Sequence, residues 1–403
     1  MKIAVFHNLP TGGAKRVLHG FVSHFIESGH SVDVLVPSTA REAFLPLKDV
    51  GAKVTVFPVQ KTISGSLYSF LRYIPPMEVS LRDLERTQQD IAETINKGDY
   101  DVVLSEQDQF TMSPFFLKFI KKPTAYFCQQ PSRFNERVLR EVSKKAGYRD
   151  NLSAPRRWVR RQFAKRIPRI DKENALHAKY VLVNSNFSKA SALMSYGIDA
   201  HVSYLGVDTN LFKSTRVPRE DFVISIGECG PRKGFDFLIR SLALIESENR
   251  PKLVLICNSF RSGWREYIEE LAKMKGVDME IMSLVGDDIL VSMYNRARLV
   301  LCAAYNEPFG LTPIEAMACG TPVVAVKEGG FKESVLDKET GVLVERSEEL
   351  FAEAVSSLLK DEKRRESMGK RGVEEVRRHW TLEQAGERLL SHLGRAVASS
   401  QER

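Results

Sequence analysis

Residues 299–320 read LVLCAAYNEPFGLTPIEAMACG, and the order of residue types along them decides the architecture. The run 299–303 is aliphatic and too short for a helix, which predicts a strand buried on both faces. Asn306 to Gly310 is a tight turn that holds the carboxylate of Glu307, and Leu311 opens a short apolar helix that stops at Gly320. A buried strand followed by a covering helix is the repeating unit of a parallel sheet. Outward from this stretch the same alternation runs the length of the chain, in two series. Strands are predicted at 3–6, 31–36, 53–59, 102–105, 124–128 and 180–184, and again at 222–226, 253–257, 280–285, 299–303, 322–326 and 342–344. Each series makes one doubly wound sheet. The polar, turn-rich passage 201–218 divides them, so two α/β domains are expected. Ligands of such sheets sit beyond the carboxyl ends of the strands, at a cleft between the domains.

Length and composition agree. The chain has 403 residues, 43% hydrophobic and 27% charged, enough for two ordinary folded domains. No run approaches the roughly 18 apolar residues of a membrane span, and the start MKIAVFHNLPTGG lacks a signal-peptide core, so a cytoplasmic protein is expected. The five cysteines are scattered without CxxC spacing and read as buried thiols. The formal charge is +8, yet residues 133–172 alone carry fourteen Lys or Arg against four carboxylates, a local +10. Such a segment is either a solvated helical face or a contact for anions: a membrane leaflet, a phosphorylated acceptor, or nucleic acid. It lacks the aromatic interleaving of nucleic-acid modules, so nucleic acid is not expected as a partner, and peripheral contact with an anionic membrane is favoured.

Three loops at strand ends carry chemistry. Gly12 and Gly13 follow the first strand and open a helix whose Val17, Leu18, Phe21, Val22 and Phe25 recur at helical spacing. Amides at that start suit a phosphate or a sugar hydroxyl, although a tight turn alone would also favour glycine. Gly227 to Gly234, GECGPRKG, follows the first strand of the second series. Arg232 and Lys233 beside the positive end of a helix are poor for local stability, which points to an anion supplied by a ligand, most simply a diphosphate. In the third loop, Glu307 precedes the short helix and Glu315 lies inside it, where a buried carboxylate needs hydrogen-bond donors; a ribose diol is a suitable pair. The single Asp-x-Asp, Asp99-Tyr100-Asp101, reads as a turn into a strand and not as a metal site.

EPFGLTPIEAMACGTPVVA resembles the E-x7-E signature of the retaining family-4 glycosyltransferases, enzymes of GT-B architecture in which two Rossmann-like domains face each other across a cleft. PRKGFDFLI resembles that family's phosphate loop, GGFKESV its downstream glycine motif, VNSNFSK the exit from the last amino-domain strand, and LGVDTNLF the entry to the second domain. The resemblance implies an acceptor-binding domain over 1–201, a nucleotide-sugar-binding domain over 202–380, and a terminal helix, 381–403, that crosses back to the first domain.

It also implies roles. Glu307 would contact the transferred sugar, the amides of Phe309, Gly310 and Leu311 its hydroxyls and the diphosphate, and Glu315 the ribose. Arg232 and Lys233 would neutralise the departing diphosphate in place of a metal, so no cofactor is expected. Gly12 and Gly13 would approach the donor. Gln129, in the stretch YFCQQPSR that ends at Arg133, stands where many relatives have a histidine near acceptor and sugar; it can position a group but cannot take its proton at neutral pH. Glu228 stands where relatives often carry an arginine, and is expected to pair with Arg232. The implied reaction moves a hexosyl group, mannose favoured, from a GDP- or UDP-sugar to a saccharide or lipid-linked acceptor. A nucleotide-sugar-binding protein without transfer activity is the alternative.

Overall fold

A computed structural model describes residues 1–60, 80–131, 154–215 and 217–401, with side chains throughout except at 154–164. The described residues form two units: one within Met1–Arg133, Asn151–Tyr204 and Ala385–Arg403, the other within Leu205–Gln384.

The first unit grows from short runs of aliphatic and aromatic residues that cannot satisfy helical periodicity and are buried on both faces. β1 (Lys2–Asn8), β2 (Ser31–Pro37), β3 (Lys53–Phe57), β4 (Val102–Asp108), β5 (Thr124–Phe127), β6 (Tyr180–Val183) and β7 (His201–Val202) pair in the order β3-β2-β1-β4-β5-β6-β7, every ladder parallel. Strand order reverses at β1/β4, the topological switch point where ligands of such sheets gather. α1 (Gly13–Glu27) covers one face with the predicted stripe, Val17, Leu18, Phe21, Val22 and Phe25, all buried, and ends where Gly29 turns left-handed at φ 81°. Each of those aromatic and aliphatic side chains contributes about 1.5–3 kcal/mol by leaving water, and Phe21→Ala would remove about 3–5 kcal/mol. α2 (Leu81–Lys97), capped by Ser80, covers another part of the sheet through Ile91, Ala92 and Ile95, which pack with Phe6 and Phe116.

α3 (Ala154–Ala175) and α4 (Asn186–Tyr196) follow. α3 is anchored near its end by Asp171, fully buried, whose carboxylate accepts from the Ser113 amide and hydroxyl and from the Tyr196 hydroxyl.

β7 is the one strand among the described residues that the sequence pattern misses. Two residues long and partly exposed, it carries no periodicity; it is set by a long-range backbone bond from Ser203 N to Val183 O and by the His201 ring stacked 4.5 Å from Tyr180. β4 is longer than its apolar run predicts. Its polar end, Glu106-Gln107-Asp108, is buried because side chains supply the bonds: Asp108 accepts from Asn8, Gln88 and the amides of Phe110 and Thr111.

In the second unit, β8 (Glu220–Ile226), β9 (Lys252–Cys257), β10 (Met279–Ser283), β11 (Ala297–Cys302), β12 (Val323–Val326) and β13 (Gly341–Val344) pair in the order β10-β9-β8-β11-β12-β13, again all parallel. Its switch point lies between β8 and β11. Helices α5 (Phe235–Ala243), α6 (Trp264–Lys275), α7 (Asp287–Arg296) and α8 (Leu311–Ala318) alternate with these strands, followed by the single turn α9 (Phe331–Ser334), α10 (Glu348–Lys360) and α11 (Glu362–His379). α12 (Leu382–Gln401) closes the chain; its buried stripe is Ala385, Leu389, Leu393 and Ala396, and a Cβ at Gly386 would fall 2.2 Å from the His24 ring of α1. All five cysteines are free and buried, and no helix of the described residues is long and apolar enough to cross a membrane.

Candidate active site

In the second unit the exits of β8 and β11 lie side by side because those strands are neighbours. Gly227, the first residue beyond β8, has φ 154°, and a Cβ there would lie 2.7 Å from Lys233 Cε; glycine lets the lysine stem lie flat across the strand exit. Gly234, at φ 68°, makes an equally close approach: its Cβ would be 2.2 Å from the Ala303 carbonyl beyond β11. Between them Arg232 O accepts from Tyr305 N at 2.9 Å, tying the basic loop to the loop of Glu307.

The consequence is an ion pair. Lys233 Nζ donates to Glu307 Oε2 at 2.9 Å, and each side chain is only 17% exposed. Burial is the largest single influence on the Glu307 carboxyl and pushes its pKa up, but Lys233 and Arg232 together outweigh it and hold the group below its ordinary value, hence ionised. Arg232 is used differently. Its Nη1 is buried without a hydrogen-bond partner among the described residues, so the loop holds two cations against one carboxylate and keeps a donor for another anion.

The turn that carries Glu307 is held by glycines. Asn306 is left-handed at φ 46°, and Gly330 N donates to Glu307 O at 2.7 Å. A Cβ at Gly329 would meet Glu307 O at 2.4 Å and one at Gly330 the Phe309 Cα at 2.5 Å, so the glycine pair after β12 seats directly under the turn. Phe309 is buried, Gly310 is the left-handed N-cap of α8 at φ 100°, and Leu311 is the first helical residue. The first amides of α8 have no partner within the helix. Glu315, one turn further, is 8% exposed and is not solvent-facing. Tyr294 Oη donates to its Oε2 at 2.6 Å, so the partner that the sequence demanded comes from the protein's own α7. Burial and the adjoining carboxylate push the Tyr294 hydroxyl well above its ordinary range, keeping it a donor.

In the first unit the strand ends gather a second polar group. Gln129 Nε2 donates to Glu106 Oε2 at 2.9 Å, and Asn184 fixes the Gln129 backbone carbonyl at 2.8 Å. Glu106 is fully buried, its Oε1 has no partner among the described residues, and burial, opposed by bonds from Gln129 and the Gln107 backbone, pushes its pKa up to about 8. His7, near the end of β1, is fully buried, 2.8 Å from Glu42, which also bonds Lys15. Burial acts to raise the Glu42 carboxyl, and the bonds and charges of His7 and Lys15 reverse this and bring it to about 2. Gly12 and Gly13 are exposed at the start of α1, with Arg16 N bonded to Gly12 O.

Residues 11–211 match the family described as Glycosyltransferase Family 4, and residues 207–375 the one described as Glycosyl transferases group 1. The chain belongs to glycosyltransferase family 4. Among similar relatives of this family-4 chain are the D-inositol 3-phosphate glycosyltransferases of Salinispora tropica, 34% identical over 46% of this chain and 41% of its own length, and of Corynebacterium diphtheriae, 33% identical over 51% of each. The chain spans about half the length of the curated relatives it matches. Among solved structures, Anabaena HepE in complex with UDP and glucose superposes with a TM-score of 0.69 at 19% identity over 98% of this chain and 99% of that one. Sucrose-phosphate synthase of Thermosynechococcus elongatus does so with 0.70 at 20% identity over 99% of each. The fold is GT-B.

Of the residues singled out in this family-4 sequence, Glu307, Lys233, Arg232, Phe309, Gly310, Leu311 and Glu315 come together in the second unit, while Gly12, Gly13 and Gln129 lie in the first. Residues 133–153 of the basic segment, Arg133 among them, lie outside the described residues. The expected Glu228 to Arg232 pair does not form. Glu228 instead bonds Arg261 at 2.8 Å, because Cys229 N donates to Ser259 O and Arg261 N to Cys229 O, which bring Arg261 beside Glu228. Asp99 to Asp101 is engaged at the strand entry: Asp101 accepts from Lys2 N at 2.7 Å and Tyr100 donates to Asp33 at 2.8 Å. Glu106 and Tyr294 are the site residues that sequence reading passed over.

Proposed function

We propose that this chain transfers a hexosyl group, with retention of anomeric configuration, from a nucleoside-diphosphate sugar to a polyol or saccharide acceptor. The observation that carries the proposal is the arrangement of Arg232, Lys233 and Glu307: two cations on the loop after β8, one paired with a mostly buried carboxylate and the other with a buried donor that has no partner among the described residues. The bond from the sugar's anomeric carbon to the diphosphate oxygen breaks, the acceptor oxygen forms the new bond on the same face, and the acceptor's proton goes to the departing phosphate. Negative charge grows on that phosphate in the transition state, and Arg232 and Lys233 neutralise it without a metal. Glu307 would hold a sugar hydroxyl. Glu315, oriented by Tyr294, retains capacity for a ribose hydroxyl, since a carboxylate accepts several hydrogen bonds.

The donor reading is supported by similar proteins solved with UDP and glucose, and the phosphorylated-polyol acceptor by the relatives' names. Mannose is the sugar favoured by the YFCQQPSR stretch, and an anionic or lipid-linked acceptor by the basic residues 133–172. The binding-only alternative rests on Glu228 and Gln129 both departing from the family's usual residues; Glu228 is bonded to Arg261 and leaves the basic loop's charge intact, while Gln129 remains a departure. The test is incubation with GDP- and UDP-sugars in EDTA, with inositol phosphate, simple saccharides and polyprenyl-phosphate saccharides as acceptors, and the product's anomeric configuration read by NMR. An inverted product, or transfer that EDTA abolishes, overturns the mechanism; donor binding without turnover on any acceptor favours the binding protein.

A further inference from the structure

Arg346, two residues beyond β13, makes contacts that no surface arginine needs. Its Nε and Nη2 form a two-pronged pair with Glu328 at 2.6 and 2.8 Å, its Nη1 donates to Ala303 O at 3.0 Å, and its Nη2 to Ala304 O at 3.2 Å. The guanidinium lies 3.8 Å from the centroid of the Tyr305 ring and 5.2 Å from that of Phe237. One side chain, 16% exposed, thus joins the exits of three strands: β11 through residues 303–305, β12 through Glu328, and β13 through itself. Tyr305, clamped by its ring, donates its amide to Arg232 O, and the next residue but one is Glu307. The pair Glu328–Arg346 therefore bears on the basic site through the backbone and ring of residues 303–305.

We propose that Arg346 is a positioning residue of the donor site, whose fork and stack on the loop after β11 set Arg232 and the Glu307–Lys233 pair at the spacing that a diphosphate requires. This rests on the donor reading above. The planar fork is the essential property: a lysine keeps the charge but cannot hold two carbonyls, a carboxylate and a ring at once.

The experiment measures dissociation constants by calorimetry for UDP, UMP, GDP and GMP with the native chain and with Arg346→Lys, Glu328→Gln and Arg219→Lys. Arg219 is a control of the same kind, bonding the carbonyls of Tyr294, Ala297, Cys319 and Gly320 within the same unit but not the basic loop. Arg346→Lys is expected to weaken the preferred diphosphate about tenfold or more while the matching monophosphate changes less than about twofold, with a smaller loss of the same kind in Glu328→Gln. Arg219→Lys is expected to lower the melting temperature and leave the diphosphate-to-monophosphate ratio unchanged. Equal weakening of both nucleotides in Arg346→Lys, or the Arg219→Lys pattern in it, overturns the inference while the donor reading stands. A native chain that binds diphosphate no better than monophosphate removes both. Should Arg346→Lys not fold, Glu328→Gln, which keeps the arginine, decides on the same ratio.

Discussion

The Lys233–Glu307 pair admits a quantitative test. At 2.9 Å and with both side chains 17% exposed, its gross attraction at an effective dielectric of about 20 is roughly 6 kcal/mol. Removing both charges from water costs several kcal/mol, which leaves a net coupling of about 2–3 kcal/mol. A double-mutant cycle of Lys233→Met and Glu307→Gln, read by urea denaturation at about pH 7, should recover that coupling, since each substitution removes one charge and nearly preserves volume. The pH dependence fixes the sign. In the native chain the Glu307 carboxyl lies below its ordinary 4.5, so the pair stabilises the fold above that pH and the stabilisation is lost as pH falls through the folded value. In Lys233→Met the paired cation is gone and burial, the largest influence, outweighs the remaining Arg232, so the carboxyl rises above 4.5 and the variant loses stability as pH increases from there. Opposite slopes of stability against pH are the signature. A coupling below about 0.5 kcal/mol, or parallel slopes, would mean a solvated pair and refute the reasoning.

Further outcomes follow from the same geometry. Glu106, raised to about 8 by burial, binds a proton in the fold that it releases in the unfolded chain above 4.5; native stability should therefore fall by up to about 1.4 kcal/mol per pH unit between those values, and Glu106→Gln should flatten thermal melts over that range. Tyr294→Phe leaves the buried Glu315 without its 2.6 Å donor and should cost about 2 kcal/mol in denaturant unfolding, with donor affinity reduced in parallel calorimetry. Gly310→Ala places a Cβ 2.9 Å from the Phe331 ring on a backbone at φ 100°, and should cost about 2–3 kcal/mol by the same unfolding measurement.

Both sheets were legible because parallel strands covered on two faces need unbroken aliphatic runs, and VVAV at β12 or LVLIC within β9 admits few other readings. Legibility failed where long-range partners do the work of composition. β4 continues through Glu106 and Asp108 because distant Asn8, Gln88 and Gln129 bond their carboxylates, and no local pattern announces those partners. The site's residue types were readable from their spacing and from the family resemblance, whereas their pairings were not. Glu228 and Arg232, four positions apart, invite a pair, yet backbone bonds between the loops after β8 and β9 deliver Arg261 to Glu228 instead. Tyr294 lies twenty-one positions from Glu315 and meets it only because α7 and α8 pack together. Nothing in the local sequence singles out Arg346 after its short strand; its weight comes from three loops that converge in space.

The most direct measurement is release of nucleoside diphosphate from a panel of UDP- and GDP-sugars in EDTA by the native chain, Glu307→Gln and Lys233→Met, with melts run alongside to confirm folding. The account predicts turnover or slow donor hydrolysis by the native chain with one nucleotide class, and a loss of about a hundredfold to a thousandfold in each folded variant. Native rates retained by folded Lys233→Met and Glu307→Gln would contradict the claim that this pair, beside Arg232, is where the reaction happens.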